Sequence, residues 1–345
     1  MKKLLLASTA LVASAGFAAA DVVVGGDGYF GAALGTYDGD GLFETADGKS
    51  STGLTDSSYV FVYDLDIDVT ATGTSDSGLT FGASIDVDDA AKSQGPINNI
   101  GSAGELFVSG DFGTLAMGDI DDAAEMVVGD LAGVGLTGLG DFNETLFLIT
   151  SAAEYAGSPV ATYSYALSGL TLGLSVTDDQ GWAIGAGYDA DFWGVGLAYE
   201  AVQSGTTITL RDAGDTFVPV SGGTVTITTP DDAHQTIGQA YVTFSGVTLK
   251  GIYGLIDIDG NDFAQYGVSA AYTWNATTLT AYWRGQDIDA KSSSGVSDQT
   301  NNFFGLGAAY DLGGGLALEA GVAQYDFEEL KSNFVVADFG ISFDF

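Results

Sequence analysis

The chain has 345 residues, with 46 Asp and Glu against nine Lys and Arg and a formal net charge of −37. Such a surplus repels phosphate polymers and attracts cations, which sets nucleic acid aside as a partner. Cysteine is absent, so neither a disulfide framework nor a thiolate metal site can form. The acidity does not signal disorder, because aromatic residues make up 12% and hydrophobic residues 46% of the chain, far above the disordered profile.

The first residues read as an export signal. Lys2-Lys3 form a positive start, Leu4 to Ala15 an apolar core, and Ala18-Ala19-Ala20 a small-residue cleavage site before Asp21. Residues 1–20 are therefore expected to be removed, leaving 21–345 as one domain. Lys2 and Lys3 leave with them, and seven basic residues remain against 46 acidic ones. No later segment approaches the roughly 18 consecutive apolar residues of a membrane helix. A membrane helix is excluded; a membrane strand is not.

Period-two alternation recurs along the rest of the chain. A first strand lies around Val23–Thr36. In the next, Tyr63, Leu65, Ile67 and Val69 oppose Asp64, Asp66 and Asp68. Leu79, Phe81, Ala83, Ile85 and Val87 then oppose Thr80, Gly82, Ser84, Asp86 and Asp88. Two short segments, Glu105–Gly110 and Thr114–Asp119, are joined by the turn Gly110-Asp111-Phe112-Gly113 and run into an acidic stretch. Further on, Leu170, Leu172, Leu174 and Val176 share a face, as do Trp193, Val195, Leu197 and Tyr199. The last segment alternates through Val335, Ala337, Phe339, Ile341, Phe343 and Phe345.

Sixteen such segments begin near 23, 58, 79, 104, 113, 159, 170, 181, 193, 236, 247, 263, 277, 302, 316 and 334. The weakest signals are the first strand and 247–257, where a bulge would shift the parity. Connections alternate long and short, with Asp178–Gly181 the exception.

An even number of antiparallel strands, with short turns at one rim and long loops at the other, predicts an all-β, sixteen-stranded transmembrane barrel. A sheet can cross hydrocarbon only if it closes, because every backbone polar group must be paired within the protein. A secreted or surface-attached acidic β-protein with a binding or adhesion role would show the same alternation with its apolar face turned inward. Two features favour the barrel. Tyr188, Trp193, Tyr272, Trp274, Tyr310 and Phe345 place aromatics at the ends of the apolar faces, as lipid–water girdles do. The opposite faces are mostly Gly, Ser, Thr and Asp, suited to a water-filled lumen. Asp64, Asp66, Asp68, Asp86 and Asp88 are then pore-wall residues. Arg284 joins them by parity, since Leu279, Ala281 and Trp283 face the other way, and Lys250 is a second candidate.

Two stretches carry a resemblance. GDFGTLAMGDIDDAAE, at 110–125, is similar to the G-x-FGTL-x-x-GD stretch that leads into the third loop of Gram-negative general porins, most closely those of alphaproteobacteria. The terminal FGISFDF resembles the last strand by which such barrels are recognised for assembly. The resemblance implies a sixteen-stranded barrel in the outer membrane, embedded in its lipid and lipopolysaccharide, usually a homotrimer. It would pass small ions and hydrophilic solutes, with the third loop folded inward to narrow the lumen. Ile120–Ser158 would be that loop. Asp121, Asp122, Glu125 and Asp130 would line the constriction, with Asp141, Glu144 and Glu154 further along. A long acidic connection after a strand cannot lie against lipid in any case, because carboxylates need water or a cation. The family usually sets an arginine cluster opposite the loop; here the early strands offer carboxylates instead. An acidic-walled pore favours cations.

The acids also raise a metal reading. Asp119, Asp121, Asp122 and Glu125, or Asp257, Asp259, Asn261 and Asp262, are oxygen donors of the kind Ca²⁺ takes, although neither set has EF-hand spacing. A passive channel requires no cofactor. Enzyme chemistry finds little support: His234 is the single histidine, in a loop, and no G-x-S-x-G precedes it.

Overall fold

The computed structural model describes residues 21–36, 44–45, 49–50, 58–87, 104–150, 159–177, 181–203, 207–210, 225–228, 232–258, 261–289, 298–327 and 332–345. Residues 1–20, Asp88, Glu154, Asp259 and 178–180 lie outside them.

The barrel strands are β1 (Asp21–Thr36), β4 (Ser58–Thr74), β5 (Thr80–Asp86), β6 (Glu105–Gly110), β7 (Gly113–Gly118), β8 (Val160–Leu167), β9 (Leu170–Thr177), β10 (Trp182–Asp189) and β11 (Trp193–Val202). They continue as β14 (Ala233–Phe244), β15 (Val247–Ile258), β16 (Asn261–Trp274), β17 (Thr277–Asp289), β18 (Gln299–Gly313), β19 (Leu316–Phe327) and β20 (Ser332–Asp344). Two short pairs stand apart, β2 (Glu44–Thr45) with β3 (Lys49–Ser50), and β12 (Thr207–Leu210) with β13 (Val225–Thr228). The sixteen long strands form a closed antiparallel barrel in chain order. Every expected segment is a strand, with its start within three residues of the alternation's.

Closure is made by β1, which pairs with β4 on one side and β20 on the other. Gly26 and Phe345 exchange two backbone hydrogen bonds, of 3.1 and 2.9 Å. No edge remains, as hydrocarbon requires. The register through β15 is continuous with both neighbours, so the bulge considered there does not occur; the one register shift of the barrel pairings falls between Asp311 and Gly313 of β18.

One rim is built from tight turns. Ser168-Gly169 and Ser245-Gly246 each place two residues at positive φ, the backbone that matches strand twist in a two-residue hairpin. Neighbouring turns are stitched together: Thr243 N donates to Phe192 O (2.7 Å), Thr273 N to Gly246 O (3.0 Å) and Asp344 N to Gly315 O (2.8 Å). At the other rim the long-loop rhythm has a further exception, since β15 and β16 are joined through 259–260 alone.

The exterior is apolar. Phe61 is 81% exposed, Phe244 77% and Leu197 62%, and the outward residues of every barrel strand are of this kind. In water such a surface would aggregate; in a bilayer it is the solvated face. The soluble β-protein reading requires these faces to be buried, and they are not. The six aromatics of the expected girdle are all exposed. Five of them lie beside the tight turns, and Phe345 ends the chain at the same rim.

The interior departs from the uniformly polar lumen that the small residues suggest. Ile237, Ile252, Ile256, Phe263, Ile288 and Phe303 face inward and are buried. What covers them is the segment that follows β7.

Candidate functional site

After β7 the chain enters the helix α1 (Ala123–Val128) and runs on without further long elements to Thr150. Asp122 starts the helix. Its Oδ1 accepts from Ala124 N (2.5 Å) and Glu125 N (3.1 Å), satisfying amides that a helix leaves open. Gly129 ends it at positive φ, and the barrel wall caps its last carbonyls. Lys250 Nζ donates to Val128 O at 2.5 Å, and Gln239 Nε2 to Val127 O at 3.5 Å.

The helix lies directly on the backbones of β9–β11. A Cβ at Gly185 would stand 2.3 Å from Ala123 O, and one at Gly196 2.2 Å from Val127 O. Only glycine admits this approach.

From α1 the segment crosses the inner wall. Ala132 N donates to Ser269 Oγ (3.1 Å) on β16. At the far end Thr137 gives Asp338 Oδ2 two bonds, from N (2.7 Å) and Oγ1 (2.8 Å). It then returns. Tyr325 donates its hydroxyl to Leu139 O, and Phe142 stacks on Phe303 with centroids 4.8 Å apart. Leu146 O accepts from Gln235 Nε2 (2.9 Å) and Gln265 Nε2 (2.8 Å), while Leu146 N donates to Gln265 Oε1 (3.0 Å). Ile149 N donates to Glu200 Oε1 (3.2 Å). The two legs are cross-tied where Thr145 N donates to Asp130 Oδ1 (2.7 Å). Thr150 Oγ1 reaches Asp122 Oδ2 (3.1 Å) and Glu125 Oε2 (3.0 Å). Apolar side chains fill the space behind: Val127, Leu131, Val134, Phe142 and Phe147 pack with Ile237, Ile252, Phe303 and Tyr325. The segment's contacts run from β8, where Thr162 Oγ1 donates to Asp121 O (3.2 Å), round to β20 and β1, where Leu136 lies over Gly340 and Gly31, so β4–β7 are the wall opposite the segment.

The acids of this segment differ in environment. Asp121 is exposed and Asp122 fully buried; Glu125 and Asp130 are intermediate. Burial pushes the Glu125 carboxyl up to about 8, with the Asp121 charge adding to the rise. Asp130 is raised by burial too, against the pull of its Thr145 hydrogen bond and of Lys250. Asp122 is thus a helix cap rather than a free charge, which the run of acids concealed.

Asp64, Asp66 and Asp68 have lumen parity on β4. Asp66 pairs in register with Asp27, Asp64 with Tyr29, and Asp68 with Asp86. Neither β1 nor β4–β7 carries a Lys or Arg. Arg284 also points inward, but it is only 3% exposed, beneath the segment rather than on an open wall. Its Nη2 donates to Gln265 Oε1 (3.4 Å), and its guanidinium lies 5.7 Å from the Phe303 ring centroid. Among the described residues, no group of three or more His, Cys, Asp or Glu is arranged to hold a metal ion. Asp119, Asp121, Asp122 and Glu125 are not brought together as a ligand set.

A family model described as Gram-negative porin matches residues 7–330. The chain belongs to the Gram-negative porin family. A porin of Rhodobacter capsulatus is 31% identical over 302 residues, covering 78% of this chain and 88% of that one. A porin structure refined at 1.8 Å superposes with a TM-score of 0.69 at 27% identity, covering 94% of this chain and all of the other. An anion-selective porin from Comamonas acidovorans shares the fold, with a TM-score of 0.65 at 16% identity over 95% of this chain and all of that one. The porin described above is accordingly an outer-membrane channel protein and not an enzyme.

Porin residues absent from the candidates drawn from sequence are Glu200, Gln235, Gln265, Asp338 and the glycines under α1. Inward parity was their available signal: Gly173, Gly185 and Gly196 fall on the lumen face of three successive strands.

Proposed function

We propose that this porin is a water-filled diffusion channel for small hydrophilic solutes and ions, constricted by segment 119–150 and selective for cations. Its charge distribution carries the reading. The wall facing the segment holds Asp64, Asp66, Asp68 and Asp86, with Asp27 next to Asp66 on the adjoining β1, and β1 and β4–β7 carry no basic residue. Lys250 and Arg284, the two basic residues of the described strands whose side chains are placed, are held behind the segment. Carboxylates along a narrow aqueous path raise local cation concentration and repel anions. Asp121 supplies negative charge on the loop side, and Glu125 adds to it as pH rises to about 8, with Asp130 between the two legs. Residues 1–20 would direct export, and the barrels would assemble as homotrimers within lipopolysaccharide-bearing membrane.

Reversal potential across a salt gradient, measured on purified channels in a planar bilayer, tests the reading. A potential of cationic sign is expected. An anionic sign overturns it, and the comparison should be repeated with Asp121→Asn and Glu125→Gln combined.

A further inference from the structure

We infer that the outer wall carries a seat for one acyl chain of a phospholipid, in a groove that crosses β14–β17 beside the tight-turn rim. The groove has a volume of about 710 Å³, within the range of clefts that hold small ligands, roughly 300–1,000 Å³. Its floor is made of small residues at neighbouring register positions. Ala240 of β14 stands opposite Gly251 of β15, and Ala270 of β16 opposite Ala281 of β17. The second pair sits one step nearer the turns, since Gly251 faces Val268 and Ala270 faces Leu249, so the floor runs obliquely to the strands. Larger side chains wall it. Val242 and Leu249 bound it toward the turns, Val268 and Trp283 on the far side.

The groove opens to the outside. Between its two rows Lys250 and Ser269 turn into the barrel, where they hold Val128 O and Ala132 N. Among the described residues, none of segment 119–150 lines it, and Val242, Leu249 and Val268 are exposed. It is a dent in the apolar exterior, continuous with the surface that meets hydrocarbon. Its far wall is held in place. Trp283 Nε1 donates to Asn302 Oδ1 (3.1 Å), and Tyr266 donates its hydroxyl to Asp287 Oδ2 (3.1 Å). The Tyr266 ring centroid lies 5.6 Å from that of Trp283 and 6.4 Å from that of Tyr253. A ledge built beforehand costs little ordering when a chain arrives.

In a bilayer no hydrophobic force draws one apolar surface to another, so dispersion contact is what sets one seat apart from the rest of the belt. A chain in the groove has protein on three sides; on a flat stretch it has protein on one. The floor begins at Ala270, two residues from Tyr272 of the girdle, so the groove opens into the leaflet at the tight-turn rim. The short turns of such barrels face the periplasm, and the leaflet there is phospholipid. The outward lining carries no charge, so it recognises the hydrocarbon chain and not the headgroup.

The test uses the purified porin in detergent, with phosphatidylethanolamine whose acyl chains are brominated and quench tryptophan on contact. Trp283 is the tryptophan of the groove, and its share of the emission is the difference between the protein and Trp283→Phe. That share should fall saturably, with half-quenching at roughly tenfold less lipid than the other tryptophans need, the ratio that ~1.4 kcal/mol of preference gives. Unbrominated phosphatidylethanolamine should restore it. Gly251→Leu with Ala270→Leu fills the floor. A Cβ at Gly251 meets nothing closer than Gly267 O at 3.7 Å, so the barrel should still form, as heat-modifiable gel migration will show. The early quenching should be lost in that variant and kept in Ala320→Leu, on the exposed face of β19. Quenching of Trp283 in step with the other tryptophans, or at equal lipid whether or not the floor is filled, overturns the seat. Separation of assembled subunits on filling the floor, with no early quenching in the intact protein, assigns the groove to a second copy of the chain and overturns it as well.

Discussion

Glu125 offers the sharpest handle on the pore. Its carboxyl sits partly buried beside Asp121, which pushes it up to about 8 from an ordinary 4.5. At ~1.4 kcal/mol per pH unit, that displacement is about 5 kcal/mol of preference for the neutral form. Since the folded state binds the extra proton, the seated loop is most stable below about 4.5 and loses that contribution as pH rises to about 8. Charge at the loop face appears over the top of the same window. Reversal potentials in a salt gradient, taken as a pH series, should show cation preference growing through a step near pH 8. Glu125→Gln should flatten that step and leave the lower plateau in place. Superimposable curves for the two proteins would refute the assignment of the step to Glu125, and with it the placement of this carboxyl along the ion path.

Replacing Asp64, Asp66 and Asp68 together with Asn should lower the cation-to-anion permeability ratio, most at low ionic strength where wall charge is least screened; an unchanged ratio would mean these acids lie off the permeation path. Lys250→Met removes a charge-assisted bond to the end of α1, worth ~1.5–3 kcal/mol, so at least tenfold more time in unseated states should appear as added current noise. Because Lys250 is engaged with Val128 O, the same variant should change selectivity less than the triple Asp substitution does. Gly196→Val puts a methyl-bearing carbon where Val127 O sits; overpacking of ~1–3 kcal/mol should shift α1 and alter conductance while the barrel still forms, as heat-modifiable gel migration would show.

The strands were legible because lipid and water impose opposite demands on successive side chains, and Tyr63 to Val69 or Leu170 to Val176 answer both. Alternation depends only on local chain geometry, so it survives without knowledge of partners. The seat of the loop was not legible in the same way. Gly185 and Gly196 have no side chain to register a face, and their meaning comes from a helix that is distant in sequence from Gly196. Arg284 had the right parity, yet parity says which way a side chain points and not what lies over it. The two roles within Asp121-Asp122-Ala123-Ala124-Glu125 were separable in principle. An Asp three residues before a Glu is an N-terminal helix signature, and reading the acids as a uniform charged lining hid it. The inward Ile and Phe of β14–β18 weakened the alternation where the loop covers them, which explains the faint signal over 247–257.

The bonds between Gly26 and Phe345 carry a consequence for how the molecule is made. The pairing of β1 with β20 joins residues about three hundred positions apart, so it is the costliest loop to close and cannot form before synthesis has reached the final strand. Until then the sheet has two open margins and a greasy outer face. Such a chain needs escort across an aqueous compartment, and its passage into the bilayer and the joining of its ends belong to one event. A defect confined to the last strand would therefore be felt as failed delivery rather than as an altered pore.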